Sequence, residues 1–168
     1  MRKIKLFIAC SLDGFIARED GSIDWLFNGD YGYAKFYKSI DTVLMGRKTY
    51  ELSLILNDTH KGKKVIVFTK QKSVHKLPNA EFISDAVGFT KKLKKSKGKG
   101  IWLVGGGEIV SILLNSKLID EMIIFVHPII LGKGIPLFRN MEKEIKLKLI
   151  EQFAYKDGLV RLYYEVLK

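Results

Sequence analysis

The stretch Ile101-Trp102-Leu103-Val104-Gly105-Gly106-Gly107-Glu108-Ile109-Val110-Ser111-Ile112-Leu113-Leu114 constrains the fold more than any other part of the chain. Four apolar residues in succession suit a central strand covered on both faces, and Ile109, Ile112 and Leu113 then recur at helical spacing. The three glycines between these patterns let the backbone turn tightly and approach a ligand, and the unpaired N–H groups at the following helix start favour an anion. A dinucleotide fingerprint of the form G-x-G-x-x-G needs glycine where Val110 stands, so the stretch alone reads either as a phosphate-binding turn or as a plain tight junction.

The chain's 168 residues fit one domain, and 47% hydrophobic with 28% charged residues supports a buried core and excludes a disordered chain. Cys10 is the only cysteine, which rules out an internal disulfide and suits a reducing, cytoplasmic setting; in an apolar strand it reads as a small core residue. The basic N-terminus carries an apolar run too short for a signal peptide, and no segment reaches membrane length. A formal charge of +11 suits nucleic acid, an acidic surface or a multiply anionic small molecule. Lys91, Lys92, Lys94, Lys95, Lys97 and Lys99 crowd one segment without an intervening aromatic residue, so it reads as a solvated helix end and loop, not a base-stacking groove.

Lys3 to Cys10 reads as a first strand, Asp13-Gly14 as a turn, and Arg18 to Gly32 as a loop whose Trp25, Leu26 and Phe27 suit a pocket cover. A helix is expected over Tyr33 to Ile40, a strand over Thr42 to Met45, and a second strand–glycine–helix junction at Gly46 to Tyr50. Strands at Val65 to Phe68, Ala80 to Ile83 and Met122 to Val126, with a helix over Ala86 to Lys95, continue the alternation. Continuous apolar strands alternating with helices predict a mostly parallel α/β sheet covered on both faces. Pro128 to Gly134 reads as irregular, anchored by Pro136-Leu137-Phe138. Lys146 to Phe153 and Leu159 to Leu167 flank Lys156-Asp157-Gly158, a hairpin signal that predicts an antiparallel pair at one edge.

In a parallel sheet both glycine junctions lie at carboxyl ends of strands, where α/β folds bind ligands. Arg47 and Lys48 offer cations at one, Gly105 to Glu108 offer backbone donors at the other, and Thr69 and Lys70 end a third strand. Together they suit a dinucleotide's phosphates; separately each is a surface helix cap. Asp30, between Trp25-Leu26-Phe27 and Tyr33, either sits among these groups as a proton donor or caps the Tyr33 helix. His60 and His75 lie in lysine-rich loops without a second ligand at metal spacing, and His127 ends a strand as a structural histidine, so no metal is expected. No nucleophile elbow or Cys–His pairing is present.

As a set, Ser-Leu-Asp-Gly-Phe-Ile-Ala (11–17), Val-Leu-Met-Gly-Arg-Lys-Thr-Tyr (43–50), Val-Gly-Gly-Gly-Glu (104–108) and the run from Leu-Ile-Asp-Glu to Pro-Ile-Ile-Leu-Gly-Lys-Gly-Ile-Pro-Leu-Phe (118–138) resemble the dihydrofolate reductase superfamily. The closer resemblance is to its bacterial branch that includes the riboflavin-biosynthesis (RibD) C-terminal reductase domain, and it covers nearly the whole chain. It implies a dihydrofolate reductase-like three-layer α/β/α fold and an NADPH-dependent reductase of a pterin-like or aminopyrimidine substrate, with a homodimer as the family expectation. By motif, the resemblance places the cofactor's phosphates on Gly46, Arg47, Lys48 and Thr49 and on Val104, Gly105, Gly106, Gly107, Glu108 and Ile109. It places the adenosine 2′-phosphate at Thr69 and Lys70, and the nicotinamide against Ala9 and the loop with Asp13, Gly14, Ile16 and Ala17. Asp30 falls at the position of the acid that binds a pterin and relays its proton, with Trp25 and Tyr33 beside the substrate. Val126 stands where folate reducers keep a threonine, Lys63 where they keep a carboxylate-clamping arginine, and Ala34 where they keep a large aromatic residue. These departures argue against folate itself, since lysine lacks the bidentate fork of arginine. The alternatives are a basic module binding nucleic acid or an anionic surface, and an NADPH-binding protein without catalysis.

Overall fold

Runs of consecutive apolar residues become strands buried on both faces. The computed structural model describes residues 1–71 and 78–168, so His75 lies outside the described residues. β1 (Ile4–Ser11) runs parallel to β6 (Gly100–Gly105) on one side and to β7 (Glu121–His127) on the other, with Leu6 opposite both Leu103 and Met122. β6 continues into β3 (Ile40–Gly46), β4 (Lys64–Phe68) and β5 (Ala80–Ile83), all parallel. Beyond β7, β10 (Val160–Val166) and β9 (Leu147–Ala154) join antiparallel, which gives the order β5-β4-β3-β6-β1-β7-β10-β9.

Successive side chains of a strand point to opposite faces, and the two cores follow that alternation. Val43 and Met45 of β3 face α1 (Tyr33–Lys38) and α2 (Arg47–Ile55), which bury Phe36 and Tyr50 against them together with Val65, Val67 and Trp102. Leu44 faces the other side, where Ile109, Val110 and Leu113 of α4 (Gly107–Asn115) pack on Leu6, Ile66, Leu103 and Met122. Val87, Phe89 and Leu93 of α3 (Ala86–Lys95) pack against that same core. The expected three-layer α/β/α arrangement is thus the observed one. Each fully buried leucine or isoleucine here contributes about 1.5–3 kcal/mol of transfer free energy. Among the described residues no helix is long and apolar enough to cross a membrane.

Three local features differ from expectation. The helix expected to reach Ile40 stops at Lys38, because Ser39 turns its hydroxyl onto Phe36 O (2.6 Å) and the fully buried Ile40 opens β3. The stretch around Pro136 is no mere anchor: β8 (Ile135–Pro136) pairs with β2 (Phe15–Ala17) as a second small sheet. Their approach requires glycine at 134, where a Cβ would lie 2.3 Å from Ala17 O. The lysine-rich segment is not uniformly solvated either. Lys94 is buried, donating to Leu118 O (2.9 Å) and pairing with Asp120, which also accepts from Ile4 N–H (2.8 Å) and from Lys168 (2.7 Å).

Candidate active site

The chain leaves β3 through α2 towards β4, and leaves β6 through α4 towards β7, in the opposite direction along the sheet. β3 and β6 are neighbours, with Met45 opposite Gly105, so the order of connections reverses between them. Such a switch point opens a crevice at the carboxyl ends of the two strands. The two glycine junctions meet there. A Cβ on Gly106 would lie 3.4 Å from Thr49 Oγ1 and 3.9 Å from Ile16 Cδ1, and one on Gly46 would lie 3.9 Å from Ile109 Cγ2. Gly105 has φ 139°, in the region that favours glycine.

Both helix starts at the crevice lack a side-chain cap. Gly46 precedes α2 and Gly106 precedes α4, whereas α3, elsewhere in the fold, is capped by Asp85, which accepts from Gly88 N–H at 2.9 Å. The first-turn N–H groups of α2 and α4 are therefore without a side-chain acceptor, and their partial positive charge favours an anion. Arg47 is drawn back onto its own helix, donating to both oxygens of Glu51 at 2.6 and 2.8 Å. Lys48 and Lys70 are exposed and make no ion pair with another described residue. Thr69 donates its N–H to Ile83 O (2.9 Å), and its hydroxyl accepts from Gln71 N–H (3.1 Å). Glu108 is exposed in the first turn of α4, where an acid complements the helix dipole.

The loop after β1 is fastened from both sides. Ser11 Oγ donates to Asp13 (2.6 Å) and accepts from Phe15 N–H (2.9 Å), while Asp13 accepts from Leu131 N–H (3.1 Å) and Gly132 N–H (2.8 Å). The Ser11 hydroxyl above all, with those amides, holds the Asp13 carboxyl below the usual aspartate range. Ile16 meets Gly106 at the crevice and Ala17 is buried; Ala9 is half-buried near the end of β1. Gly14 has no atom within 4 Å of where a Cβ would stand. Cys10 is buried, and burial pushes its thiol up to about 11, which keeps it protonated and unreactive.

The three residues expected beside the substrate part company. Trp25 is 7% exposed and packs edge-on to His127, ring centroids 5.3 Å apart, with its indole N–H unpartnered among the described residues. Tyr33 is half-buried beside Trp102 (5.7 Å) and Phe7 (6.1 Å), and burial pushes its phenol well above the usual range. Asp30 takes the second of the two roles open to it, at the start of the Tyr33 helix and not lodged among apolar groups. It is exposed, and its oxygens accept from Gly32 N–H (3.2 Å) and Ala34 N–H (2.7 Å), so the short side chain folds back onto the first turn of α1. Val126 is half-buried opposite Cys10, and Ala34 is exposed. Lys63 is fully engaged locally: Nζ donates to Tyr37 O and Ile40 O, both at 2.8 Å, and lies 4.3 Å from the centre of the Tyr37 ring. Sequence reasoning passed over the acceptor role of His127, whose Nε2 takes the Phe27 N–H (3.2 Å). No local pattern links residues so far apart. Among the described residues no group of three or more His, Cys, Asp or Glu is arranged to hold a metal ion.

A switch point flanked by two uncapped glycine junctions, on a parallel sheet ended by an antiparallel hairpin, defines an α/β domain of the dihydrofolate reductase-like class. Within that class the chain belongs to the RibD C-terminal domain family, whose model matches residues 2–161. It is 46% identical to the uncharacterized protein YwjB of Bacillus subtilis (strain 168) over 97% of both chains. It is also 40% identical to the 5-amino-6-(5-phosphoribosylamino)uracil reductase of Buchnera aphidicola, over 40% of this chain and 32% of that one. The deaminase/5-amino-6-(5-phosphoribosylamino)uracil reductase of Thermotoga maritima superposes with a TM-score of 0.76 over 99% of this chain and 57% of that one; at 19% identity this shows a shared fold. A crystal structure from Shewanella sp. PV-4, provisionally named for riboflavin biosynthesis, superposes with a TM-score of 0.86 at 30% identity over 99% of both chains. At family level the chain is a reductase-type domain.

Proposed function

We propose that the protein is a cytoplasmic NADPH-dependent reductase of a heterocyclic, aminopyrimidine-type or pterin-like substrate. The observation that carries this reading is the meeting of the two uncapped helix starts at the β3/β6 switch point. The residues fit the cofactor: first-turn amides of both helices take the pyrophosphate, Lys48 adds a cation, and Thr69 with Lys70 takes the 2′-phosphate. NADPH, when bound, supplies the hydride.

The chain's own groups orient and enclose. The loop with Asp13, Gly14, Ile16 and Ala17, pinned through Asp13 onto Leu131 and Gly132, would cover the nicotinamide together with Ala9. Trp25 and Tyr33 contribute ring surface to the substrate side, Trp25 held by His127 and Tyr33 by Phe7 and Trp102. Asp30 enters the proposal as proton carrier, a role in which its carboxylate leaves the Gly32 and Ala34 amides. Engagement of Lys63 by two carbonyls favours an aminopyrimidine over a substrate with a folate-like carboxylate tail. A nucleic-acid module is less well supported, because burial of Lys94 breaks the continuity of the basic segment. A homodimer, taken as the assembly, uses the exposed edge strand β9.

The experiment is a fluorescence titration with NADPH and NADH, followed by turnover with dihydrofolate and with 5-amino-6-(5-phosphoribosylamino)uracil. Saturable binding that prefers NADPH, with turnover of the aminopyrimidine, is expected. Absence of saturable NADPH binding sinks the reading.

A further inference from the structure

We infer that His127 is a positioning residue whose neutral imidazole latches the Trp25–Phe27 segment onto the end of β7, and that protonation of the ring releases that segment. His127 is the last residue of β7 and pairs with Ser11 at the end of β1, on the carboxyl edge of the sheet where the candidate site lies. It is 4% exposed. Its Nδ1 lies 3.3 Å from Phe125 O, which can only accept, so Nδ1 carries the proton. Its Nε2 lies 3.2 Å from the Phe27 nitrogen, which can only donate, so Nε2 presents the lone pair. The two contacts together specify the neutral Nδ1–H tautomer. The Trp25 ring stands edge-on to the imidazole at 5.3 Å, and the Phe27 ring lies at 5.0 Å. One side chain therefore touches two of the three aromatic residues of the 18–32 loop, Trp25 and Phe27, and holds the backbone at Phe27, while Tyr31 packs on Tyr155.

A second proton on Nε2 would set donor against donor at Phe27 and strip a backbone N–H of its acceptor. The groups around the ring set where this happens. From the β9–β10 turn Asp157 favours the imidazolium, but its carboxylate is engaged by the Tyr31 hydroxyl and by Leu159 N–H (3.1 Å). From β1, the Ser11 hydroxyl is committed to Asp13. On β10, Arg161, opposite Phe125, is paired with Glu151. From the loop, the uncharged Trp25 and Phe27 touch the ring, and the neighbouring Asp24 is paired with Arg18 (2.7 Å). Burial outweighs these influences and holds the imidazole below its ordinary value of 6.5. A group whose folded-state pKa is depressed contributes fully above the unfolded value and loses that contribution as pH falls through the folded one. The latch is thus closed at neutral pH and opens on the acid side of the imidazole range.

The test is made without cofactor or substrate, so its failure is distinguishable from failure of the reductase reading. Tryptophan emission is followed from pH 8 to pH 5. Trp25→Phe supplies the background, because Trp102 has its own histidine neighbour, His60, at 5.4 Å. The wild type is expected to show a titration absent from Trp25→Phe and abolished by His127→Gln, whose amide oxygen accepts from Phe27 without titrating. Persistence of that titration in His127→Gln, or no change in the wild type, overturns the proposal. Hydrogen exchange at the Phe27 amide of the wild type gives a reading that needs no variant. After correction for intrinsic rates, protection should fall measurably between pH 7.5 and pH 5.5, with a ceiling of about tenfold set by linkage to a single imidazole; constant protection overturns the latch.

Discussion

Gly106, just before α4, and Thr49, in the first turn of α2, lie so close that a Cβ on the glycine would come within 3.4 Å of the threonine hydroxyl oxygen. That contact joins two junctions 57 residues apart (106 − 49) into one crevice. Gly106 has φ −80°, so its backbone accepts a side chain, and valine at this position crowds the crevice more than the core. Gly106→Val is expected to weaken NADPH binding by about tenfold or more, roughly 1.4 kcal/mol. Gly107 is the contrasting case, since a Cβ there would lie 2.2 Å from Pro136 O and 3.1 Å from Leu137 O. Gly107→Ala should cost about 1–3 kcal/mol, which lowers the melting temperature by roughly 2–12 °C for a domain of this size. Unchanged NADPH affinity in Gly106→Val places the pyrophosphate elsewhere.

Lys70→Ala tests the choice of cofactor. Lys70 is exposed, so removing it leaves the fold intact while subtracting a cation expected to meet a phosphate present only in NADPH. The ratio of NADPH to NADH affinity should fall by about tenfold at low salt and by less at high salt, where exposed charges are screened. An unchanged ratio reassigns the 2′-phosphate.

Asp30→Asn separates two roles of one carboxylate. Asparagine keeps an oxygen for the Ala34 amide and removes the titratable proton. Proton relay predicts a fall in kcat of at least about tenfold with NADPH affinity and melting temperature unchanged. Full turnover in the variant leaves Asp30 with its task at the start of α1.

Asp120 and Glu121 predict how stability responds to acid. Burial pushes the Asp120 carboxyl up, but Lys168, Lys94 and the Ile4 amide together outweigh it and hold the group below its ordinary value of 3.8. For Glu121 burial is likewise outweighed, by Lys3, Lys5 and Tyr163, which hold it below 4.5. Depressed carboxyls bind fewer protons in the folded state, so their stabilisation is complete above those ordinary values and is lost as pH falls below them. Melting temperatures measured from pH 7 to pH 3 should drop most steeply in that acid window. Lys94→Met should flatten the drop and, at pH 7, destabilise by about 2–4 kcal/mol, less than a wholly unpaired buried charge because Lys168 remains.

β9 predicts the assembly. All eight of its residues are exposed, among them Leu149, Ile150 and Phe153, whereas the opposite edge strand β5 has four residues, three of them half-buried. A long apolar edge pairs readily with another strand. Light scattering should find a dimer for the wild type and a monomer for Leu149→Lys/Ile150→Lys, with unchanged circular dichroism. A wild-type monomer removes the homodimer.

What the sequence determined by itself was local. The β3, β4, β6 and β7 strands were legible because consecutive apolar residues have nowhere to go but between two layers. Both helix starts were legible because glycine directly after a strand marks the turn, and the hairpin because Lys156-Asp157-Gly158 interrupts two strand-like runs. The candidate phosphate residues were legible for the same reason. The tertiary structure decided which junctions face each other, because the neighbourhood of β3 and β6 depends on strand order, which no local pattern encodes. It also decided the tasks of individual polar side chains. Asp30 turned onto the amides nearest to it, Lys63 closed the end of α1, and Lys94 found Asp120 across 26 residues. Asp13 reached Gly132 across 119 residues, and His127 reached Phe27 across 100. The physical reason is the same throughout. Apolar burial and backbone geometry are written in neighbouring residues, whereas a hydrogen bond takes whichever partner the completed fold brings within about 3 Å.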